Sequence, residues 1–483
     1  MTDATTPADL NLWGSTKRLA EEAIAALRAR KGSGGYISPH LNYPKLSYLD
    51  NGMPNIHSSF NDGPPHYDFT LMQHFRKDGV SEYEEWPSYQ EYVTYAKSSD
   101  KVMSYYNPSY KEAFGDQLTE RVLTFLPFEL ADRYLSTTGI DSNSINEEVL
   151  LSIYLQLEAP IFKEELPVSA VVPLALTPMD IDRLDLTSNI RIERLSDDEQ
   201  LARSVSDYGD SNVAMNRWLV HAATHALVIE GFTISHQHRW DFDYLPIRAD
   251  VIEVADDFVR SLAISENLQT GYAQIYYRPL GWGRDFIASL PATVGMSFLR
   301  RYPPHFDFSW RNDIAILTPE ECQAAVDMFK GLRQSDSRVK LAARRFGMGI
   351  LRETEEDSIL DYCIGLEAVF GDLGPGETTY KLAMRGAKTL SSQLTISESE
   401  AFTCFKKIYA YRSAVAHGKS NAAKQRKIKL RDDLAISAEA AARELLRMGL
   451  MTVLKDPKLT VDYIDRNLLL SSDSSREAEN STA

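Results

Sequence analysis

From Ala401 onward the chain commits to an amphipathic helix. Phe402, Phe405, Ile408, Tyr409 and Ala416 recur at helical spacing, so one face must be buried against a partner surface. Gly418 stands where a helix needs a left-handed residue to end. Arg412 falls in the last turns and His417 at the end, which puts a permanent cation and a titratable imidazole close in sequence at one helix terminus. The rest of the chain has to supply the bundle that buries this helix.

The segments upstream of this helix carry a resemblance. Asp361-Tyr362-Cys363-Ile364-Gly365-Leu366-Glu367-Ala368-Val369-Phe370 precedes a Gly-rich stretch, and Tyr380-Lys381-Leu382-Ala383-Met384-Arg385-Gly386-Ala387 follows it. A Leu-Glu helix, a helix with an Arg among small residues, and a terminal Arg412-Ser413 followed by His417-Gly418 together resemble the Apea-like branch of the HEPN domains. The resemblance covers about Val339 to Leu454. It implies a helical bundle, a homodimer with the Arg/His pairs facing across the interface, and an endoribonuclease serving in defence against phage or in toxin systems. Many members carry Asn, Asp or His after the Arg, where this chain has Ser413.

With 483 residues, two to three domains are expected, and 43% apolar residues suffice for packed cores. The net charge of −16 is unevenly spread. Residues 1–309 hold 26 basic against 43 acidic residues, whereas 310–455 hold 23 against 19. A polyanion would therefore meet the C-terminal part. Cys322, Cys363 and Cys404 form no CxxC pair, which argues against a disulfide framework. No apolar h-region follows Met1, and no apolar run reaches the ~18 residues of a membrane span. The expectation is a soluble, cytoplasmic protein without a membrane partner.

Texture divides the chain into four parts: a helical and loop-rich 1–144, a mixed α/β 145–302, a helical 310–455, and a polar tail 471–483. The fold class expected is α+β overall, with an all-α HEPN-like bundle after a mixed α/β region. Thr16 to Lys31 has a helical stripe ended by Gly32-Ser33-Gly34-Gly35; Ile37 to Pro87 is read as loop packed through its rings; Tyr89 to Phe128 is read as helix broken at Pro108. Val149 to Ile161, Val168 to Leu176, Ile190 to Leu195, the second half of Trp218 to Ile234, and Tyr272 to Tyr277 are read as strands. Asp250 to Ser265 is read as helix, and Pro303 to Trp310 as linker. Thr318 and Glu321 have capping-box spacing around Pro319. Helices are then expected over Val339–Glu353, Ser358–Phe370, Thr378–Leu390, Ser397–Ala416 and Asp433–Val453, with a loop at Asp372–Glu377.

RNA cleavage without a metal needs a base for the 2′-hydroxyl proton and a cation for the charge building on the phosphate. Histidine titrates near working pH, and arginine grips two phosphate oxygens. His417 and Arg412 are those residue types, but five positions on an ideal helix is about 140° of rotation, so the helix must bend or end between them for the two to converge. The bland alternative has Arg412 paired with an acid and His417 capping carbonyls. Ser413, Tyr411, Glu367 and Arg385 are supporting candidates. Glu367, amid apolar neighbours, needs a cationic partner; Arg385 is preferred over Arg412, which makes Glu367 structural. Lys419, Lys424, Arg426, Lys427, Lys429 and Arg431 crowd the stretch after His417 and are candidates for RNA phosphates, against a solvated loop as the bland reading. His221, His225, His236 and His238 have spacings that permit a metal, but Ala222 and Ala223 stand where HExxH has its Glu, so no metal and no cofactor are expected. The leading reading is a metal-independent endoribonuclease, with the N-terminal region sensing an unknown trigger. The alternative is a non-catalytic HEPN module for RNA binding or dimerisation. A third is an enzyme in the N-terminal part.

Overall fold

In a computed structural model, the residues described are 6–59, 61–77, 80–106, 120–142, 144–205, 216–236, 238–371, 378–419, 422–431 and 434–469. The fold mixes helices with a six-stranded sheet, an α+β architecture. Two units interleave along the chain: one of 1–173, 182–248 and 274–299, the other of 174–181, 249–273 and 300–483. The segment 145–302 contributes to both.

The strands run β1 Tyr43–Tyr48, β2 Pro54–Ser59, β3 Arg76–Lys77, β4 Val80–Ser81, β5 Glu165–Ala175, β6 Arg183–Asp185, β7 Ile190–Arg194, β8 His225–Ser235, β9 Gly271–Pro279, β10 Val294–Arg301, β11 Lys427–Arg431 and β12 Leu434–Ser437. The large sheet has the order β10-β9-β5-β8-β7-β6. β5 pairs antiparallel with β8, β8 with β7, and β7 with β6. Val168, Val171, Val172 and Leu227 are fully buried, so the β-branched runs read as strands occupy its centre.

Three readings need correction. Val149 to Ile161 is not a strand but the body of a helix, Glu147–Phe162. Asn146 caps it, its side chain accepting the N–H groups of Glu148 and Val149 at 3.0 and 3.2 Å. Leu150, Ile153, Tyr154 and Leu157 are buried at helical spacing, and so are Glu158 and Ile161; a helix buried this widely loses the polar face that betrays its period. Ile37 to Pro87 is not wholly loop. It holds the hairpin β1–β2 and the helix Tyr67–His74, which packs on the helix Phe125–Thr138. The last long helix starts at Ala438 rather than Asp433, because Leu434–Ser437 pairs with Lys427–Arg431. The proposed linker holds a short helix, Phe306–Ser309. Pro108, the Asp372–Glu377 loop and the tail lie outside the described residues.

The second unit is a helical bundle carrying the β11–β12 hairpin. Ala249–Glu266 packs on Pro319–Gln334, Ser337–Ile350 on Glu355–Phe370, and Thr378–Leu390 on Glu398–Ala416, with Ala438–Lys455 touching several of them. Thr318 and Glu321 form the expected capping box, with Pro319 in the first turn. One core takes in Phe346, Tyr362, Leu366, Leu382, Phe405, Ile408 and Leu446. Close approach needs glycine at two crossings: a Cβ on Gly386 would lie 2.4 Å from the Phe405 ring, and one on Gly365 2.4 Å from Leu446. The three segments that carry the resemblance therefore share one apolar core.

Candidate functional site

The motif helix runs unbroken from Glu398 to Ala416, started by a capping box between Ser397 and Glu400. Phe405, Ile408 and Tyr411 are buried along it. Its end is a Schellman motif: Lys419 N–H donates to Ala414 O at 2.9 Å, and Gly418 N–H to Val415 O at 3.0 Å. Gly418 takes φ +59, the left-handed conformation its position demanded. His417 is the C-cap, and its own N–H still donates to Ser413 O at 3.2 Å. The helix thus neither bends nor ends before His417, and the rotation of about 140° from Arg412 stands within one chain.

The two residues meet different surroundings. His417 is exposed. Arg412 is half-buried, with its Nε sealed from solvent and lacking a hydrogen-bond partner. Burial pushes the Cys363 thiol up, with the Arg412 guanidinium opposing and Glu367 adding to the shift. Tyr409 is pushed well above its usual range by burial and by Cys363 and Glu367, again against Arg412. Glu367 and Arg412 therefore act on the same thiol and hydroxyl, and Tyr409 donates its hydroxyl to Cys363 O at 3.1 Å. Cys363 and Tyr409 are not among the candidate site residues read from the sequence, although Cys363 lies four residues before Glu367 and Tyr409 three before Arg412.

The preferred partner for Glu367 is wrong. Arg385 is buried and grips Asp465 with two bonds, Nε and Nη2 donating at 2.7 and 2.6 Å, while Nη1 donates to Phe370 O at 3.0 Å. The Glu367 carboxylate makes no hydrogen bond or ion pair among the described residues, and the residue keeps part of its surface in solvent. No sequence spacing pointed to Asp465, which is 80 residues from Arg385. Ser413 is half-buried. Tyr411 is buried, its hydroxyl pushed up by burial and by Glu356 and Glu355.

The basic stretch after His417 is ordered by β11. Ile428 is buried and Leu430 packs on the core, so Lys427 and Lys429 alternate onto the exposed face. Lys419 and Lys424 are exposed as well. Arg426 is committed to Glu355 in an exposed ion pair. Three cavities of the second unit lie elsewhere: one of about 610 Å³ is lined by Asp336, Arg338, Val369, Val453 and Leu459 among others, and neither Arg412 nor His417 borders any of the three.

The four histidines of the other cluster go separate ways. His225 meets Thr224, His236 meets Pro160 O, and His238 meets Ser104 O. Among the described residues no group of three or more His, Cys, Asp or Glu side chains is arranged to hold a metal. Among them, too, no helix is long and apolar enough to cross a membrane. No family model matches the chain, and no curated protein or solved structure matches it.

Proposed function

We propose that the second unit is a metal-independent endoribonuclease whose reacting site is composed from two copies of the chain. The observation that carries this reading is Arg412: a half-buried guanidinium whose Nε has no acceptor, on the helix that ends at the exposed His417 and is followed along the chain by the exposed Lys419, Lys424, Lys427 and Lys429. A cation short of an acceptor, an exposed imidazole and exposed lysines are groups that suit a phosphodiester, although within one chain the first two face apart. A two-fold arrangement answers the rotation between the two residues, since Arg412 of one copy can face His417 of the other. One imidazole takes the 2′-hydroxyl proton as that oxygen attacks phosphorus. The second copy's imidazole protonates the departing 5′-oxygen, and Arg412 stabilises the charge on the phosphate. The products are a 2′,3′-cyclic phosphate and a 5′-hydroxyl. A role in defence or as a toxin, triggered through the first unit, follows from this reading.

The test is incubation of mixed RNA with chelator present, comparing the unsubstituted chain with Arg412→Ala and His417→Ala. Each substitution is expected to cut cleavage by at least about 100-fold while thermal unfolding stays unchanged. A second reading, a non-catalytic module for RNA binding or dimerisation, is favoured by the continuous helix through His417. It predicts RNA affinity that falls steeply with salt, and equal absence of cleavage in all three proteins.

A further inference from the structure

The segment between β10 and the helix Pro319–Gln334 presents aromatic rings to solvent. Phe308 is 91% exposed, the most exposed large apolar side chain described, and Ile316 is 62% exposed. Trp310 is half-buried, with the Arg311 guanidinium 4.5 Å from its ring centroid.

The rings are held in place rather than trailing. At one end Tyr302 and Phe306 are buried and stacked at 6.5 Å. At the other, Leu317 exchanges hydrogen bonds with Pro178 and Asp180 at 3.0 and 2.8 Å. Between them Phe308 N–H donates to His305 O at 3.1 Å, Ser309 Oγ to the same carbonyl at 2.9 Å, and Asn312 N–H to Ser309 O at 3.0 Å. One cation lies at the rings: Arg311 is exposed beside Trp310, whereas Arg300 lies over the buried Tyr302 and is paired with Glu353 and Asp307. Exposed aromatic faces beside guanidinium groups are what unpaired bases stack on, and every base has such a face.

We propose that Phe308 and the Trp310–Arg311 pair form a stacking platform for unpaired bases of single-stranded RNA. This rests on the reading of the second unit as an RNA-acting module.

The experiment measures binding of a labelled single-stranded oligoribonucleotide, and of the same sequence as a duplex, to the full-length His417→Ala chain with and without Phe308→Ala or Phe308→Tyr. Because Phe308 lies almost wholly in solvent, its replacement leaves folding intact. Phe308→Ala is expected to weaken single-strand binding about tenfold, to leave duplex binding unchanged, and to be rescued by Phe308→Tyr. Unchanged single-strand affinity overturns the platform and points instead to a protein partner for these rings; equal weakening on duplex overturns stacking as the mechanism. Cleavage by the unsubstituted chain combined with indifference to Phe308→Ala sinks the platform alone. Absence of cleavage with Phe308-dependent single-strand binding sinks the nuclease reading alone.

Discussion

Arg385 and Glu367 show how a correct choice of residue can come with the wrong partner. A guanidinium this buried must find a carboxylate, and the chain supplies Asp465 in a two-bond grip from the turn that follows the last long helix. That pair fastens the C-terminal end of the described chain to the helix Thr378–Leu390. Asp465→Ala leaves the buried cation short of its counter-charge and is expected to cost about 2–4 kcal/mol. Glu367→Gln removes no bond and is expected to change stability by less than about 0.5 kcal/mol. Urea unfolding of the two variants checks both; a large loss in Glu367→Gln would revive the pairing read from the sequence. Arg412 differs from Arg385 in kind. Its Nε has no hydrogen-bond partner, whereas Nε and Nη2 of Arg385 are both engaged with Asp465.

The end of the motif helix was legible because it rests on backbone geometry: only a residue tolerant of positive φ closes a Schellman turn, and glycine announces it. A Cβ on Gly418 would meet nothing within 4 Å, so the cost of replacing it is purely conformational. Gly418→Ala is expected to lower stability by about 1 kcal/mol, and Gly418→Asn by clearly less, as thermal unfolding of the pair would show. An equal loss in both would mean that the turn is not what the residue supplies. The capping box at Thr318 and the strands β5, β7, β8 and β9 were legible for the same local reasons. Two elements were not. Glu147–Phe162 is buried on so much of its surface that a helix and a central strand give the same apolar run, and Asn146 was the signal to weigh. In Lys427-Ile428-Lys429-Leu430 the charges drew attention, although their alternation with apolar residues is the period of the strand they form. That alternation puts Lys427 and Lys429 together on the exposed face of the strand.

The two units are threaded through each other in sequence: β5, β9 and β10 each pass from one to the other, so no single cut separates them. Texture along the chain cannot reveal this, because composition averages over contiguous residues whereas the units are assembled from separated ones. The first unit, richer in acid, also holds two carboxyls whose protonation folding changes. Burial pushes the Glu129 carboxyl up to about 8, with Arg239 opposing and Asp285 adding to the shift. Asp132 is pushed up to about 7 by burial and by Asp68, against His66. Burial and the stacked His66 ring push His40 down to about 4. Against partial desolvation, with its side chain still 48% exposed, Asp285 is held below the carboxylate range by Arg239 and Arg284, so it stays ionised at neutral pH. In the unfolded chain both raised carboxyls lose their protons near pH ~4, whereas folded they keep them to about 7 and 8. Their contribution is complete below ~4 and is lost as pH rises through the folded values. His40 works in the opposite direction: kept neutral when folded, it costs stability as pH falls below ~6.5. Both carboxyls keep protons that the unfolded chain releases over this range, so stability should fall as pH rises from ~5 to ~8. The urea midpoint of the first unit's transition should therefore fall across that range and level off above pH ~9. Glu129→Gln, which keeps the hydrogen-bonding shape without the ionisation, should flatten the fall and raise stability at pH ~8. A midpoint that climbs from pH ~5 to ~8, or a Glu129→Gln curve parallel to that of the unsubstituted chain, would show that these carboxyls are ionised in the folded protein.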